Sequence, residues 1–225
     1  MSMNGEFREI TPALLDKIVN NPALVNDVLR SIDGGGSDSI DPLEYAINAL
    51  PENNRKMMRK MLAQASPEKR ANVLRFVTDK IGLIDKIHKM NTGSIDTKET
   101  ARRISIDKSW HGLHFLLTGD AVSTPQGAGQ AILGGKEIGP DLGYGPARVM
   151  DPAQVKAVAT ALASTSKAEL SKKYDPNAMD GAQIYPGEWN EEAENLGWLL
   201  ESFDTVVEFY RTAAEHGNAV MLYLI

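Results

Sequence analysis

Imidazole is the side chain whose proton exchanges near neutral pH, so the four histidines, His88, His111, His114 and His216, are weighed first. His111 and His114 stand three apart inside the stretch 107–119, Asp-Lys-Ser-Trp-His-Gly-Leu-His-Phe-Leu-Leu-Thr-Gly. On a helix that spacing sets both rings on roughly one face. No carboxylate accompanies them at zinc-protease spacing, and the other two histidines are scattered, so they form no metal motif. Glu191, Glu192 and Glu194 resemble a metal or acid/base cluster, but such a run is also what a solvated helix face carries. No Gly-x-Ser-x-Gly elbow occurs among the serines. Gly127-Ala128-Gly129 lacks the third glycine of a dinucleotide fingerprint, and Gly34-Gly35-Gly36 lacks a following Gly-Lys-Ser/Thr. The absence of cysteine excludes a thiolate nucleophile, a disulfide and a Cys-ligated zinc. Neither a metal nor a cofactor is expected, and no set of residues amounts to an enzyme motif.

The stretch 107–119 predicts a short buried helix. Asp107 is its expected N-cap, accepting from first-turn N–H groups. Trp110, Leu113, His114 and Leu117 recur at helical spacing, Phe115 and Leu116 widen the apolar surface, and Gly119 suits a left-handed cap. His114 on that face reads as a core histidine whose nitrogens find hydrogen bonds, with a ligand-binding or catalytic role as the alternative.

Around it, six cap-plus-proline pairs (Thr11-Pro12, Asn21-Pro22, Asp41-Pro42, Ser66-Pro67, Asp151-Pro152 and Asp175-Pro176) predict helix starts. Leu14, Leu15 and Ile18 supply the inner face of the first helix, and Leu24, Val25, Val28 and Leu29 that of the second. Strand pieces are expected within 1–10, at 130–133, at 147–150 and at 219–225, the last apolar enough to sit inside a sheet. The longest helix is expected over 188–215, with Leu196, Leu199, Phe203, Val206 and Tyr210 inward and acidic residues outward. The fold class is α+β: helix-rich, with a small mixed or antiparallel sheet formed by the N-terminal, central and C-terminal strands.

Charge divides the chain. The net charge is −6, yet residues 51–103 hold 13 Lys/Arg against 6 Asp/Glu, leaving a body of −13. After the linker 33–39, helices over 41–50, 52–64 (Met57, Met58, Met61) and 67–90 form a small basic module, 38–94, inserted into one domain spanning 1–225. Its methionines suit adaptable core packing. Phe76 is the only aromatic of that basic segment and the body repels phosphate, so a nucleic-acid partner is not expected. The longest apolar run, 219–225, is far short of the ~20 residues that span a bilayer. The N-terminus has no apolar leader-like run, and a cytoplasmic protein is expected.

With these pieces placed, the chain resembles the YfbM-like bacterial family, a domain of unknown function. The resemblance rests on Met3, Gly5, Ile106-Asp107-Lys108, Trp110, Leu113-His114-Phe115 and Leu117-Thr118-Gly119. It continues at Ile184-Tyr185-Pro186-Gly187 and Gly217-Asn218, and covers 1–30 and 104–225. It implies an α+β fold and a bacterial cytosolic protein, and carries no established reaction. Some members look like immunity partners of bacterial toxins.

Two functional readings follow. The first is a non-catalytic protein-binding protein whose acidic face, Glu188, Glu191, Glu192, Glu194 and Glu201, meets a basic partner such as a toxin domain. The second is a small-ligand binder or enzyme with a pocket lined by Asp107, Trp110, His114, Tyr144, Tyr185 and Trp189. Tyr144 lies in the loop Asp141-Leu142-Gly143-Tyr144-Gly145-Pro146, whose glycines permit close backbone approach.

Overall fold

The structure, a computed structural model, describes residues 2–30, 57, 59–62, 65, 66, 69, 99–190 and 194–225. Contacts divide the chain into Met1–Leu29 with Asp96–Ile225, and Arg30–Ile95. In the second unit Met57 and residues 59–62 are helical, and Met57 and Met61 are exposed. The Ser66 hydroxyl accepts from the Lys69 N–H at 3.4 Å. The linker 33–39, the helix over 41–50, Met58 and most of 67–90 lie outside the described residues.

The first unit is α+β. Its strands are β1 (Gly5–Ile10), β2 (Thr100–Ser105), β3 (Lys136–Asp141), β4 (Pro146–Met150) and β5 (Ala219–Leu224), in the order β2-β1-β5-β4-β3. Every pairing is antiparallel. β5, Ala-Val-Met-Leu-Tyr-Leu, occupies the centre, where both faces are covered and a continuous apolar run is stable. β3, Lys-Glu-Ile-Gly-Pro-Asp, takes an edge, where Pro140 forfeits no ladder bond the sheet needs.

The helices are α1 (Pro12–Asn20), α2 (Leu24–Arg30), α3 (Trp110–Thr118), α4 (Pro152–Ala163), α5 (Lys167–Lys173), α6 (Pro176–Gly181) and α7 (Asn195–Glu215). Three of the six cap-plus-proline pairs start helices as expected. Thr11 accepts from Leu14, Asp151 forms a capping box with Gln154, and Asp175 accepts from Ala178. Asn21-Pro22 instead precedes a turn, and α2 begins at Leu24.

Strand alternation sorts the sheet into two faces. One register row, Ile104, Phe7, Leu222, Arg148 and Glu137, crosses all five strands on the face carrying the main core. There Phe7 meets Phe209 and Tyr210 of α7 edge-on, with ring centres 5.9 and 6.4 Å away. On the opposite face buried Arg8 donates to the Val28 carbonyl of α2 at 2.5 Å. Glu9, fully buried, accepts from His216 Nδ1 and Asn218 Nδ2, each at 2.7 Å, which fastens the turn from α7 into β5.

Three expectations are corrected. Residues 130–133 are not a strand: they follow a 3₁₀ turn, Gly127–Gln130, and the Ala131 carbonyl accepts from the Tyr210 hydroxyl at 2.8 Å instead of joining a ladder. α7 starts at Asn195 rather than 188, because Gln183, Gly187 and Glu188 all have positive φ (56°, 87° and 61°) and Trp189 turns inward. Asp107 is no N-cap. It has φ 51°, opens a 3₁₀ turn (Asp107–Ser109), and caps neither that turn nor α3 with its side chain. The Ser109 hydroxyl donates to the Ile106 carbonyl there.

Candidate functional site

α3 is the structural centre of the candidate site. Trp110, Gly112, Leu113, His114 and Leu116 are buried, so the helix is enclosed on nearly all sides. Glycine at 112 is a packing requirement: a Cβ there would lie 2.4 Å from the Trp189 ring. Gly5 plays the same part for Trp110, whose Cβ would be 2.6 Å from an added methyl.

On the outer side of α3 lies an open groove of about 430 Å³, lined by Met3, Trp110, His111, Gln183, Ile184, Tyr185, Pro186 and Gly187. Its rings are layered. Trp110 stacks on His111 at 4.6 Å and 6°, and on Tyr185 at 6.2 Å and 24°. A chain of hydrogen bonds ties them together. Trp110 Nε1–H donates to the Met3 carbonyl at 3.2 Å, and the Met3 N–H donates to the Tyr185 hydroxyl at 3.0 Å. The Tyr185 N–H donates to His111 Nδ1 at 3.0 Å. His111 Nδ1 is therefore an acceptor, and its Nε2–H donates to the Ala121 carbonyl, 3.0 Å away. Burial lowers the His111 pKa, with the Ala121 carbonyl pulling weakly the other way. A second proton has no place on Nδ1 without breaking the bond from Tyr185, so the ring is held neutral.

His114 sits one turn further on. It is fully buried and neither nitrogen has a hydrogen bond, which corrects the expectation of a hydrogen-bonded core histidine. Burial, and then the proximity of His111, hold its pKa down to about 4, opposed by Asp120 and the backbone at Ser123. Ser123 is near enough to act electrostatically, but its geometry falls short of a hydrogen bond. The loop above is braced by Asp120, whose carboxylate accepts from Val122 and Ser123 N–H groups at 2.8 Å each, holding its pKa below the usual range.

Of the expected pocket residues, the groove therefore unites Trp110 and Tyr185. His114 lies beneath it with no exposed surface. Trp189 is core: its Nε1–H donates to the Ile184 carbonyl at 2.8 Å and its ring stacks on Trp198 at 6.3 Å. Asp107 is exposed and lines neither this groove nor the cavity described next. Tyr144 lines a separate cavity of about 170 Å³, with Glu6, Phe7, Leu133, Glu137, Arg148 and Leu222 among its other walls. His111, Met3 and Arg148 were not singled out as pocket residues. The i, i+3 pairing with His114 pointed toward His111 and the family resemblance included Met3, while nothing pointed toward Arg148.

The acidic face is thinner than the sequence suggests. Glu188 and Glu194 are exposed ahead of α7 and Glu201 is exposed on it, while Glu191 and Glu192 lie outside the described residues. Asp204 pairs with Lys167 at 2.7 Å, and Arg211 bridges Glu208 and Glu215 at 2.7 and 2.5 Å. Arg102 adds a longer contact to Glu208 at 3.9 Å. Among the described residues no three His, Asp or Glu gather to hold a metal ion. None of the described helices is long and apolar enough to cross a membrane.

Comparison with known proteins places this geometry in a family. Protein YfbM of Escherichia coli (strain K12) is 27% identical over 149 residues, which covers 64% of this chain and 84% of YfbM. The crystal structure of a protein of unknown function, YfbM from Escherichia coli, aligns with 99% of both chains at a TM-score of 0.56 and 18% identity, a likeness of fold. The family model described as "Domain of unknown function (DUF1877)" matches residues 1–223, and the chain belongs to that family.

Proposed function

We propose that the chain is a non-catalytic protein-binding protein of the bacterial cytoplasm, an immunity-type partner of a basic toxin domain, and that the Tyr185 groove is its recognition surface. The observation that carries this reading is the closed hydrogen-bond chain from Trp110 through Met3 and Tyr185 to His111 and Ala121. Both His111 nitrogens are engaged by backbone, so the groove offers no imidazole to move a proton. What it does offer is a rigid, layered aromatic surface, the kind that anchors a partner's central side chain. Glu188 follows Gly187 at the rim and is exposed, with Glu194 and Glu201 also exposed. An arginine or lysine of the partner laid on the Tyr185 ring beside Glu188 would gain both a cation–π and an ionic contact. The excess of acid outside 51–103 would speed its approach. A small-ligand or enzyme site joining His114 to Tyr185 is the competing reading, and the complete burial of His114 counts against it.

The test is affinity purification of the tagged chain from its native host, in parallel with Tyr185→Ala/Glu188→Lys. A basic protein retained by the wild type and largely lost from the double variant supports the reading. Equal retention of the same protein by both forms contradicts it.

A further inference from the structure

The sheet parts at one place. β4 pairs with β5 only through Arg148, Val149 and Met150, opposite Leu222, Met221 and Val220. Before Arg148, Ala147 and Pro146 pair only with Ile138 and Asp141 of β3, while Tyr223 and Leu224 pair only with Glu6 and Gly5 of β1. The two strands diverge, and the cavity of about 170 Å³ that Tyr144 lines lies in the gap. We propose that this cleft binds a small carboxylate with a short apolar tail, its carboxylate on the Arg148 guanidinium and its tail against Phe7 and Leu222.

The register row supplies the arrangement. Ile104, Phe7 and Leu222 are its apolar part, and Arg148 follows them directly on the same face. Ile132 and Leu133 add apolar wall. Arg148 gives one Nη2–H to Glu137 at 2.5 Å, and its Nε and Nη1 make no hydrogen bond among the described residues. The Tyr144 hydroxyl likewise has no partner among them. A guanidinium with one edge open presents parallel donors, the geometry that fits a carboxylate. Tyr144 lines the same cleft, and the loop backbone that carries it is braced. The carboxylate of Asp141 accepts from the Gly143 and Gly145 N–H groups at 2.7 and 3.1 Å. Gly143 and Gly145 have φ of 113° and 103°, conformations only glycine adopts without strain. The two acids of the cleft do not forbid an anion: Glu6 is met by Arg103 at 2.9 Å, and a ligand carboxylate would share the Arg148 guanidinium with Glu137, as Glu208 and Glu215 share Arg211. The cavity falls below the ~300–1,000 Å³ of drug-sized sites, which limits the ligand to a few carbons.

Amide-resolved NMR of the full chain, titrated with isocaproate and with L-leucine, tests the site. A free acid and an amino acid share the carboxylate and the branched tail and differ only in the ammonium. The expected result is saturable shifts at Tyr144, Gly145, Arg148 and Tyr223 with a dissociation constant of roughly 1 mM or tighter for at least one probe. The neutral analogue isocaproamide should leave these amides in place. Tighter leucine binding would identify amino acids as the class, with the ammonium toward Glu137, and tighter isocaproate binding would identify simple acids. Arg148→Met, which keeps the apolar stem, should weaken binding about tenfold. Tyr144→Phe, at an exposed loop tip that leaves the fold intact, should weaken it less. No saturable shift with either probe, or shifts undiminished in both variants, overturns the proposal.

Discussion

The Tyr185 groove and the Tyr144 cleft lie in one unit and are built on opposite terms. In the groove, the indole and imidazole N–H groups, the Tyr185 N–H and the Met3 N–H are all engaged within the chain. In the cleft, Arg148 Nε and Nη1 and the Tyr144 hydroxyl have no partner among the described residues. A surface whose ring and backbone N–H groups are already engaged recognises by shape and ring stacking. A cavity with open charged donors recognises by charge. The first suits a protein surface and the second a small anion, so the two regions should respond differently to the same perturbations.

The largest expected effect comes from removing the support beneath the groove. Trp189→Ala deletes a buried ring packed on Gly112, and should cost about 3–5 kcal/mol in urea unfolding. The groove should lose its order while the amides of the β3–β4 hairpin keep their positions. Loss of both regions together would show that they are not independent.

Next is pH. His114 is neutral in the folded protein down to about pH 4, whereas in the unfolded chain it takes up a proton near the ordinary histidine value of 6.5. The unfolded state then binds more protons between these values, so stability is fully present above about 6.5 and falls as the pH drops toward 4. The loss from this one group is about 3 kcal/mol and ends below the folded-state value. His114→Leu should remove that slope relative to the wild type and raise stability at pH ~5, since it also removes two unpartnered buried nitrogens. Parallel wild-type and variant stability curves from pH ~7 to ~4 would show that the native ring protonates after all.

Tyr185→Phe keeps the ring and removes the acceptor of the Met3 N–H, and should cost ~1–2 kcal/mol in thermal or urea unfolding. Partner retention should survive if stacking dominates, as the groove account requires. The smallest effect is expected from Glu201→Lys, which exchanges one exposed charge and should change stability by ~0–1 kcal/mol. It should slow association with a basic partner at low salt and lose that influence at high salt.

What could be read from the chain alone follows from how local each signal is. Thr11, Asp151 and Asp175 cap their own helices through atoms three residues away, so their pairs with proline announced α1, α4 and α6. The apolar run of β5 announced a central strand. β2, Thr-Ala-Arg-Arg-Ile-Ser, and β3 went unnoticed because both are polar edge strands whose only warrant is the neighbour they pair with. Trp110 and Tyr185 were legible as aromatic members of the site. His111 was not, because both its bonds run to backbone atoms at Ala121 and Tyr185, which no residue type encodes. Trp189 read as a pocket residue, and its packing on Gly112 makes it core instead. The acids of α7 read as an outward acidic face because Lys167 and Arg102 arrive from other elements. Arg148 acquired its place from the strand register, which the sequence of β4 does not contain.

The central claim, that the Tyr185 groove takes a protein while the Tyr144 cleft does not, is tested most directly by site-specific photo-crosslinking. A benzoylphenylalanine placed at Tyr185, or separately at Tyr144, is irradiated in the native host and the adducts are resolved by mass. The account predicts a discrete protein adduct from position 185 that fades as salt is raised, and none from position 144. A protein adduct from position 144 alone, or none from either, would contradict it.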